Sequence, residues 1–469
     1  MKNRYDIAVI GAGPAGIAAA TLAASHGASV VLVDEQSQPG GQVYRNLLHQ
    51  SIEDKNILDK DYYRGRNLLR STRDSNIDYI PGATVWQISP ELEIGMSNDG
   101  KACLFHALQV IIATGALERP FPVPGWTLPG VMQAGAAQTL LKTSGVVIPD
   151  AVFIGTGPLL YLIACQYLRA GVTIEAILDV SPRDNYWRAL PYLPKALLNS
   201  DQLIKGFSWL NRLRNSGVSC ISSIEEVRFT GKLSLECVDY RRKGQWHHIE
   251  TRHALVHQGV VPNTNLAMAA GCEHSWSDSQ LCWHAETDYW AESSVPAVMV
   301  AGDGAGIFGA GAAEHSGRIA ALGALYRSDI IDVKTRDRLA APARRRLIQG
   351  KKIRPFLDVL FRPPMQFRVP VEDATLVCRC EEVSAGDIRA AILHGCSGPN
   401  RLKSFSRCGM GPCQGRLCGL TVCELMAQAR DVPVAAVGPL RLRPPVKPLP
   451  LAELVNLAEV SAQPPNTCR

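Results

Sequence analysis

The sequence predicts an α/β protein with two parallel sheets, followed by a small cysteine-rich domain. Two observations predict the sheets: residues 5–34 and residues 151–179 each read as strand, glycine-rich turn, helix and second strand. This alternation is typical of a parallel sheet covered by helices. The third observation is that seven of the fourteen cysteines lie between Cys378 and Cys423. Such clustering in a long chain indicates a metal site rather than a disulfide scaffold.

Composition and charge exclude several classes of protein. The 469 residues are 46% hydrophobic and 20% charged, which predicts about three domains and excludes a disordered or fibrous chain. A net charge of +6 without a recognition motif gives no reason to expect nucleic-acid binding. Two uncharged stretches, 7–33 and 151–168, are each interrupted by a Gly-x-Gly turn, which argues against a membrane span. Because no signal-peptide pattern is present, we expect a cytoplasmic protein, free or peripherally attached to the inner face of the cell membrane.

The first glycine-rich turn has the G-x-G-x-x-G pattern of a dinucleotide site. Gly11 allows the tight turn, Gly13 lets a pyrophosphate approach the backbone, and Gly16 lets helix and strand pack closely. The unpaired N–H groups at the start of the helix favour phosphate. Asp34 closes the second strand and is expected to accept hydrogen bonds from ribose hydroxyls. The predicted nucleotide-contacting residues are Gly11, Gly13, Pro14, Ala15, Gly16, Asp34 and Glu35.

Later motifs resemble those of the glutathione-reductase-like flavoproteins, which have two dinucleotide-binding domains. In chain order they are Gly40-Gly41-Gln42, Ala113-Thr114-Gly115 and Gly302-Asp303-Gly304. The resemblance implies that the dinucleotide is FAD, that Gly41 and Gln42 pass near the flavin, and that Asp303 reaches its ribityl chain. An adenine nucleotide in a degenerate site is the alternative. His315, on the following helix, is a candidate catalytic residue, and the alternative is that its side chain satisfies backbone or cofactor atoms.

The second glycine-rich turn departs from the dinucleotide pattern. It reads Gly-Thr-Gly-Pro-Leu-Leu from Gly155 to Leu160, so a leucine replaces the third glycine and should hold the helix farther from the strand. Gly155, Gly157 and Asp179 are expected to hold NADH or another adenine nucleotide, or to belong to a vestigial site. No cysteine pair with C-x2-C or C-x4-C spacing lies between residues 41 and 270, so disulfide-reductase chemistry is not expected.

Four cysteines have the spacing expected for a [2Fe–2S] cluster. Cys378 and Cys380 form a C-x-C pair, and Cys408 and Cys413 flank a glycine-rich loop. Two irons need four thiolates, an extended C-x-C segment can point both sulfurs the same way, and loop N–H groups stabilise the negative sulfide. Zinc, for which a C-x-C pair is unusual, and buried free thiols are the alternatives. Cys418 is the first substitute if one of the four ligands is wrong.

The cysteine segment resembles the bacterioferritin-associated-ferredoxin-like [2Fe–2S] domain, but its second pair has four intervening residues instead of two. Together with the flavoprotein motifs, it makes the chain similar to the larger subunits of hetero-oligomeric amine dehydrogenases. These include the larger subunits of the opine oxidases and the corresponding subunits of hydrogen cyanide synthase and of proline or hydroxyproline dehydrogenase. The resemblance covers residues 1–430. It implies oxidation of a C–N bond in an amino acid or opine, including conversion of glycine to cyanide, with electrons relayed to a quinone or another carrier.

The same resemblance implies partners and a further cofactor. A second flavoprotein subunit would hold the small amino-acid or opine substrate, and a small ferredoxin-like subunit is another expected partner. A second adenine nucleotide or an FMN at a subunit interface is the further cofactor. Two other functions stay open: a stand-alone NADH-dependent flavin and iron–sulfur reductase, and a non-catalytic scaffold and electron conduit with an inert adenine nucleotide.

These motifs divide the chain into three domains and a tail. The predicted units are an FAD-binding domain in two parts (1–120 and 255–350), a second nucleotide-binding-like domain (121–254), a [2Fe–2S] domain (370–430) and a Pro-rich extended tail (431–469). Trp187–Leu213 has apolar residues at helical spacing and is interpreted as an insertion packed on its own domain or as a subunit contact. The basic runs Arg344–Arg346 and Lys351–Lys352 are a solvated face or a docking point for a partner or an anionic lipid.

Overall fold

The computed structural model describes residues 2–49 and 56–461, and its first domain starts with a parallel sheet. The first elements are β1 (Arg4–Ile10), α1 (Pro14–Ser25), β2 (Val30–Asp34), a 3₁₀ turn (Leu47–His49), α2 (Lys60–Arg64), α3 (Arg66–Asp74), β3 (Ile77–Pro81), β4 (Thr84–Ile88), β5 (Glu93–Asn98), β6 (Lys101–Ile112) and β7 (Ala116–Glu118). Strands β3, β2, β1 and β6 lie side by side and run parallel. Antiparallel β5 and β4 extend the sheet. β2 is wholly buried, as expected for a parallel strand covered by helices on both faces.

The second domain is built around a five-stranded parallel sheet. Its elements are β8 (Val131–Gln133), α4 (Ala134–Ser144), β9 (Ala151–Thr156), α5 (Pro158–Arg169), β10 (Ile174–Asp179), α6 (Asp184–Ala189), α7 (Leu193–Ala196), α8 (Ser200–Asn215), β11 (Ser219–Ser222), β12 (Glu226–Thr230), β13 (Cys237–Arg242), β14 (Gln245–Glu250) and β15 (Ala254–Gln258), with 3₁₀ turns at Leu190–Tyr192 and Leu197–Asn199. The strand order is β11-β10-β9-β15-β8, and β12 to β14 form a separate antiparallel sheet. Because β15 pairs with β9 and β8, this domain extends to Gln258 rather than ending at residue 254.

The chain then returns to the first domain. The returning elements are β16 (Val260–Pro262), α9 (Asn265–Ala269), β17 (His274–Ser277), β18 (Cys282–Ala285), β19 (Val298–Val300), a 3₁₀ turn (Gly302–Ala305), α10 (Ala310–Arg327), α11 (Val333–Lys351), α12 (Arg354–Leu360) and a 3₁₀ turn (Met365–Phe367). β16 pairs with β7, and β19 joins the first sheet beside β6. Helix α10 packs along α1 so closely that a Cβ on Gly317 would overlap the backbone of Ala15.

The cysteine-rich region forms a small domain with its own core. Its elements are β20 (Leu376–Cys378), β21 (Val383–Ser384), α13 (Ala385–Leu393), α14 (Pro399–Ser406), α15 (Gly419–Arg430) and α16 (Val434–Val437), and α17 (Leu451–Ser461) follows in the tail. Ser384 and Asp387 start α13 with a capping box. Buried Ile388, Val422 and Leu425 pack together with several of the cysteines. Among the described residues, no helix has both the length and the apolar character needed to cross a bilayer.

The predicted extended tail is only partly extended. Residues 438–450 contain no helix or strand, but Leu451–Ser461 forms α17, which contacts β6 of the first sheet. Leu440 lies over the glycine-rich loop of the cysteine-rich domain. The helix forms because apolar residues recur at helical spacing once the prolines end. The prediction of a wholly extended tail is therefore corrected, and residues 462–469 lie outside the described part of the chain.

Candidate functional site

The glycine-rich turn after β1 is closed in by backbone from other segments. A Cβ on Gly11 would overlap the carbonyl oxygen of Ala113, and one on Gly16 would overlap that of Gly11. Gly11 also has a φ of +104°, which side chains disfavour. A Cβ on Gly41 would lie 2.9 Å from the Cα of Gly13. Three of the predicted motifs therefore meet at one place, where the missing side chains let the backbone segments pack directly against one another.

The fourth predicted motif reaches the same place from β19. A Cβ on Gly302 would lie 2.8 Å from the Cβ of Ala15 on α1. Asp303 accepts hydrogen bonds from the backbone N–H groups of Phe308 (3.0 Å) and Gly309 (3.1 Å). Burial raises the pKa of Asp303 above its ordinary value. Its carboxyl group thus holds the loop before α10, and the unpaired N–H groups of that helix begin beside it.

Thr114 and Gly115 connect the end of β6 with the segment after β16, where the chain has returned to the first domain. The hydroxyl of Thr114 donates to the carbonyl oxygen of Asn263 at 3.0 Å. The backbone N–H of Asn263 donates to the carbonyl oxygen of Gly115 at 2.9 Å. These bonds hold the predicted Ala113–Gly115 motif at the same edge of the sheet as the glycine-rich turn.

Asp34, at the end of β2, braces the glycine-rich turn. One carboxylate oxygen accepts from the N–H of Ala12, and the other accepts from the N–H of Gln36 at 2.6 Å. Burial raises the pKa of Asp34, and the two donors oppose that shift. Each oxygen retains a lone pair that a ribose hydroxyl can use. The adjacent Glu35 forms an ion pair with Lys447 from the C-terminal segment.

His315 lies near the start of α10 and presents an unsatisfied nitrogen. Its Nδ1 is buried and has no hydrogen-bond partner among the described residues. Burial lowers the pKa of His315, which favours the neutral ring. The neighbouring Glu314 pairs with Arg318 at 2.6 Å within the helix. A buried polar atom without a partner is one that a bound ligand can satisfy, so His315 fits a cofactor contact as well as a catalytic role.

Lys142 is a site residue that the sequence reasoning missed. Its Nζ is buried on α4 and donates to the carbonyl oxygens of Gln42 (3.0 Å) and Val43 (3.1 Å). Burial, together with the nearby charge of Arg45, lowers the pKa of Lys142 to about 7. The lysine therefore ties the segment after Gly41 to the second domain. A single lysine among the apolar positions of a helix was the available signal.

Side chains of the protein lie beside the second glycine-rich turn. Gly157 lies 3.6 Å from the ring of His257, measured from a Cβ placed on the glycine, and His257 pairs with Glu118 at 2.7 Å. Asp179 accepts hydrogen bonds from Tyr161 (2.8 Å) and from the N–H of Ser181 (2.8 Å). The predicted acceptor for a ribose thus accepts one internal hydrogen bond on each oxygen, as Asp34 does. Leu160, in place of the third glycine, is completely buried in the core.

The cysteine-rich domain gathers five thiols. The sulfur atoms of Cys378, Cys408 and Cys418 lie within 4.8 Å of one another and are buried. Cys380 and Cys413 form a second, more exposed group joined by a side-chain hydrogen bond. Hydrogen bonds from Cys408 and Cys418 lower the pKa of Cys378 to about 2. Cys418, named in the sequence analysis as a substitute, therefore lies with the predicted ligands.

The glycine-rich loop between the last cysteines brings the two groups together. A Cβ on Gly411 would overlap the Cβ of Cys380, so the loop backbone lies directly against the C-x-C segment. The negative charge of Cys378 contributes to raising the pKa of Cys380, and that of Cys413 contributes to raising the pKa of Cys408. Cys380 and Cys413 therefore lie near the buried group of three thiols, and soft thiolates are suited to zinc or an iron–sulfur cluster.

Comparison with known proteins identifies the family of the chain. A family model described as Pyridine nucleotide-disulphide oxidoreductase matches residues 5–321, and one described as Sarcosine oxidase A3 domain matches residues 372–456. The A subunit of opine oxidase from Rhizobium meliloti is 42% identical over 97% of this chain and 88% of that protein. The chain belongs to the family of opine oxidase A subunits, within the pyridine nucleotide-disulphide oxidoreductases.

Other similar proteins support this assignment to the family. Hydrogen cyanide synthase subunit HcnB from Pseudomonas aeruginosa is 34% identical over 96% of this chain and 98% of that protein. Among solved structures, L-proline dehydrogenase from P. horikoshii has the same fold, with a TM-score of 0.68 at 17% identity over 96% of this chain and 79% of that one. The predicted α/β flavoprotein fold and FAD-dependent oxidoreductase class are confirmed. The match of the C-terminal region is to the sarcosine oxidase A3 domain, so the [2Fe–2S] domain stays a prediction.

Proposed function

We propose that this chain is the FAD- and [2Fe–2S]-containing subunit of a hetero-oligomeric dehydrogenase that oxidises a C–N bond of an amino acid or opine. Its electrons would pass to a quinone or another carrier. The observation that carries the proposal is that one chain joins a flavoprotein fold to five clustered thiols. The relatives named as opine oxidase and hydrogen cyanide synthase subunits support the substrate class and a second subunit that binds the substrate.

The residues around the first glycine-rich turn fit FAD. Gly13 would let its pyrophosphate approach the N–H groups at the start of α1, Gly11 and Gly16 would shape the turn, and Asp34 would accept from its ribose. Asp303 would lie beside the ribityl chain. A flavin exchanges one or two electrons, whereas a [2Fe–2S] cluster accepts one at a time, so the pair connects amine oxidation with a one-electron carrier.

The arrangement of thiols favours one division of ligands between two irons. Cys380 and Cys413 are adjacent and would bind one iron, while Cys378 with either Cys408 or Cys418 would bind the other. Each iron of such a cluster needs two thiolates, so five thiols leave one to spare. This retains the predicted ligands Cys378, Cys380 and Cys413 and leaves the fourth position to two candidates.

Contacts between the domains would hold the cluster at a set distance from the flavin. The indole N–H of Trp126, in the second domain, donates to the carbonyl oxygen of Leu376 at 2.8 Å, two residues before Cys378. The guanidinium of Arg379 lies 5.4 Å from the centre of the Trp126 ring. A fixed contact so near the thiols supports electron transfer from the flavin to the cluster within the chain, without movement of the cysteine-rich domain.

Leu160 weighs against the stand-alone NADH reductase. It replaces the third glycine of the turn after β9 and is completely buried, so helix and strand do not pack as closely there as a third glycine would allow. The second nucleotide fold is thus proposed to serve structure, or to hold an adenine nucleotide that does not deliver electrons.

The test is anaerobic reduction of the purified complex. The chain is co-expressed with the product of its neighbouring gene, and the flavin absorbance is followed while proline, hydroxyproline, glycine or an opine is added. We expect bleaching by at least one of these amines and none by NADH. Bleaching by NADH alone would contradict the proposal, and absence of flavin after acid extraction would favour a non-catalytic scaffold.

A further inference from the structure

Residues 438–450 connect the clustered cysteines with the first glycine-rich turn, and we call this segment the strap. It runs from the end of α16 to the start of α17. Leu440 lies over the glycine-rich loop of the cysteines, because a Cβ on Gly415 would lie 2.6 Å from its Cδ1. The side-chain amide of Gln414, in the same loop, donates to the carbonyl oxygen of Pro445 at 2.6 Å. The strap is therefore attached to the loop that carries the thiols.

The other end of the strap is attached to the first sheet. The backbone N–H of Val446 donates to the carbonyl oxygen of Trp86, on β4, at 2.9 Å. The side chain of Val446 is buried in the same core as Val33 of β2. Lys447 follows and forms its ion pair with Glu35. The strap thus reaches the end of β2, where the sequence predicts contacts to the nucleotide.

Little of the strap is free to absorb a movement. Leu440 and Lys447 are only seven positions apart, and Pro444 and Pro445 restrict the backbone between them. The side chain of Asn400, on α14, accepts a hydrogen bond from the backbone of the strap at 2.6 Å and donates one to it at 3.2 Å. A shift of the cysteine loop is therefore passed on to Lys447.

The conformation of the cysteine loop depends on the ligand of its thiols. Gly409 and Gly415 have φ values of +83° and +78°, and glycine loses more conformational freedom on ordering than any other residue. Bonds from Cys408 and Cys413 to a metal would fix this loop, since metal binding is coupled to local folding. The position of the strap would then differ between the loaded and the empty cysteine site.

Lys447 acts on the nucleotide site through Glu35. The side chain of Glu35 is about half exposed, so without a partner it samples several rotamers. It also adds negative charge beside Asp34, where an anionic pyrophosphate is predicted to bind. Lys447 holds Glu35 in one orientation and offsets part of this charge. A side chain that is ordered before the ligand arrives loses less entropy on binding.

We propose that the strap couples the two sites, with Lys447 as a positioning residue for the nucleotide. Metal bound by the cysteines fixes the strap, which holds Lys447 against Glu35 and increases the affinity of the first site for FAD. Because coupling is reciprocal, bound FAD increases the affinity of the thiols for the metal. This inference rests on the proposed function, which supplies both ligands. The alternative is a strap that only fastens the C-terminal segment between two independent sites.

The test compares the FAD affinity of the iron-loaded full chain with that of the same chain after anaerobic reduction and chelation of its iron. Apoprotein without flavin is titrated with FAD, and the flavin fluorescence is followed. Lys447→Gln is the variant, and Lys232→Gln, at an exposed lysine of the second domain, is the control. Iron removal should lower the affinity about fivefold in the wild type and the control, the lower end of typical coupling between sites.

The variant should behave differently. Iron-loaded Lys447→Gln should already bind FAD about fivefold more weakly than the wild type, and iron removal should then change its affinity less than twofold, because the same interaction is lost only once. Hydrogen exchange at Val446 checks the fold: its amide should be protected in both iron-loaded proteins and should exchange faster in the wild type after iron removal.

Two results would overturn the inference alone. In one, the wild type binds both FAD and iron, but iron removal leaves its FAD affinity unchanged. In the other, Lys447→Gln retains the full fivefold dependence on iron. A wild type that binds no FAD or no iron would overturn the proposed function, and this inference with it.

Discussion

Glu424 of the cysteine-rich domain lies 3.6 Å from Arg119 of the first domain, measured from Oε1 to Nη1, and both side chains are almost completely buried. Arg368 pairs with the other oxygen of the same carboxylate. Arg119 also donates to the carbonyl oxygens of Leu281 (3.0 Å) and Gln280 (2.8 Å). A single carboxylate therefore compensates two buried guanidinium groups at the junction of the domains.

Replacement of Glu424 by Gln should loosen this junction. Two buried positive charges would lose their partner, which costs on the order of 3 kcal/mol when one member of a buried ion pair is removed. We expect protease cleavage between residues 351 and 372 at a lower urea concentration than in the wild type. Glu372→Gln is the matched control because its pair with Arg228 is half exposed, and such pairs contribute at most about 1 kcal/mol. Equal effects of the two variants would contradict the account.

Replacement of Gly41 by Ala should weaken FAD binding. The added methyl would lie 2.9 Å from the Cα of Gly13, in a backbone conformation with φ of +57°. We expect at least a tenfold loss of flavin affinity (about 1.4 kcal/mol), measured by rebinding of FAD to the apoprotein. Gly82→Ala has a similar φ of +70° but meets no atom within 4 Å, so it should lose stability without losing affinity. If both variants bind FAD like the wild type, Gly41 does not adjoin the cofactor.

Lys142 should make stability increase with pH. Its pKa falls from 10.5 in the unfolded chain to about 7 in the folded one, so between those values the unfolded state binds more protons. The free energy of unfolding should then rise by about 1.4 kcal/mol per pH unit from this one group. Urea unfolding of the wild type and of Lys142→Met at several pH values measures the difference. The variant should lack this slope, whereas the exposed Lys232→Met should retain it; a slope unchanged in Lys142→Met would contradict the account.

The parts of the site that the sequence predicted are those set by local sterics. Gly11 is required by its positive φ and Gly16 by its contact with the backbone of Gly11, both within one strand–turn–helix unit, so their spacing alone indicates the turn. Lys142 was missed because it contacts carbonyl groups a hundred residues earlier in the chain, and no local pattern reports such a contact. Glu424 was missed for the same reason, although an acidic residue among buried positions of α15 was a signal.

The cysteine ligands could also be predicted only in part from the sequence. Spacing identified the C-x-C pair and the glycine-rich loop, but it could not rank Cys408 against Cys418. Which of the two is the ligand depends on how α15 starts after the loop, because this start brings the sulfur of Cys418 next to that of Cys378. At the second nucleotide fold the sequence left a bound nucleotide and a vestigial site open, and it gave no sign of the hydrogen bond from Tyr161 to Asp179.

The most direct test of the central claim is the iron and acid-labile sulfide content of the purified protein and of five single Cys→Ser variants. The account predicts about two irons and two sulfides per chain, lost in the variants of Cys378, Cys380 and Cys413. It also predicts that one of the two single variants, that of Cys408 or that of Cys418, keeps its iron, because only one of these thiols is needed as the fourth ligand. Zinc without sulfide in the wild type, or iron retained in every variant, would contradict it.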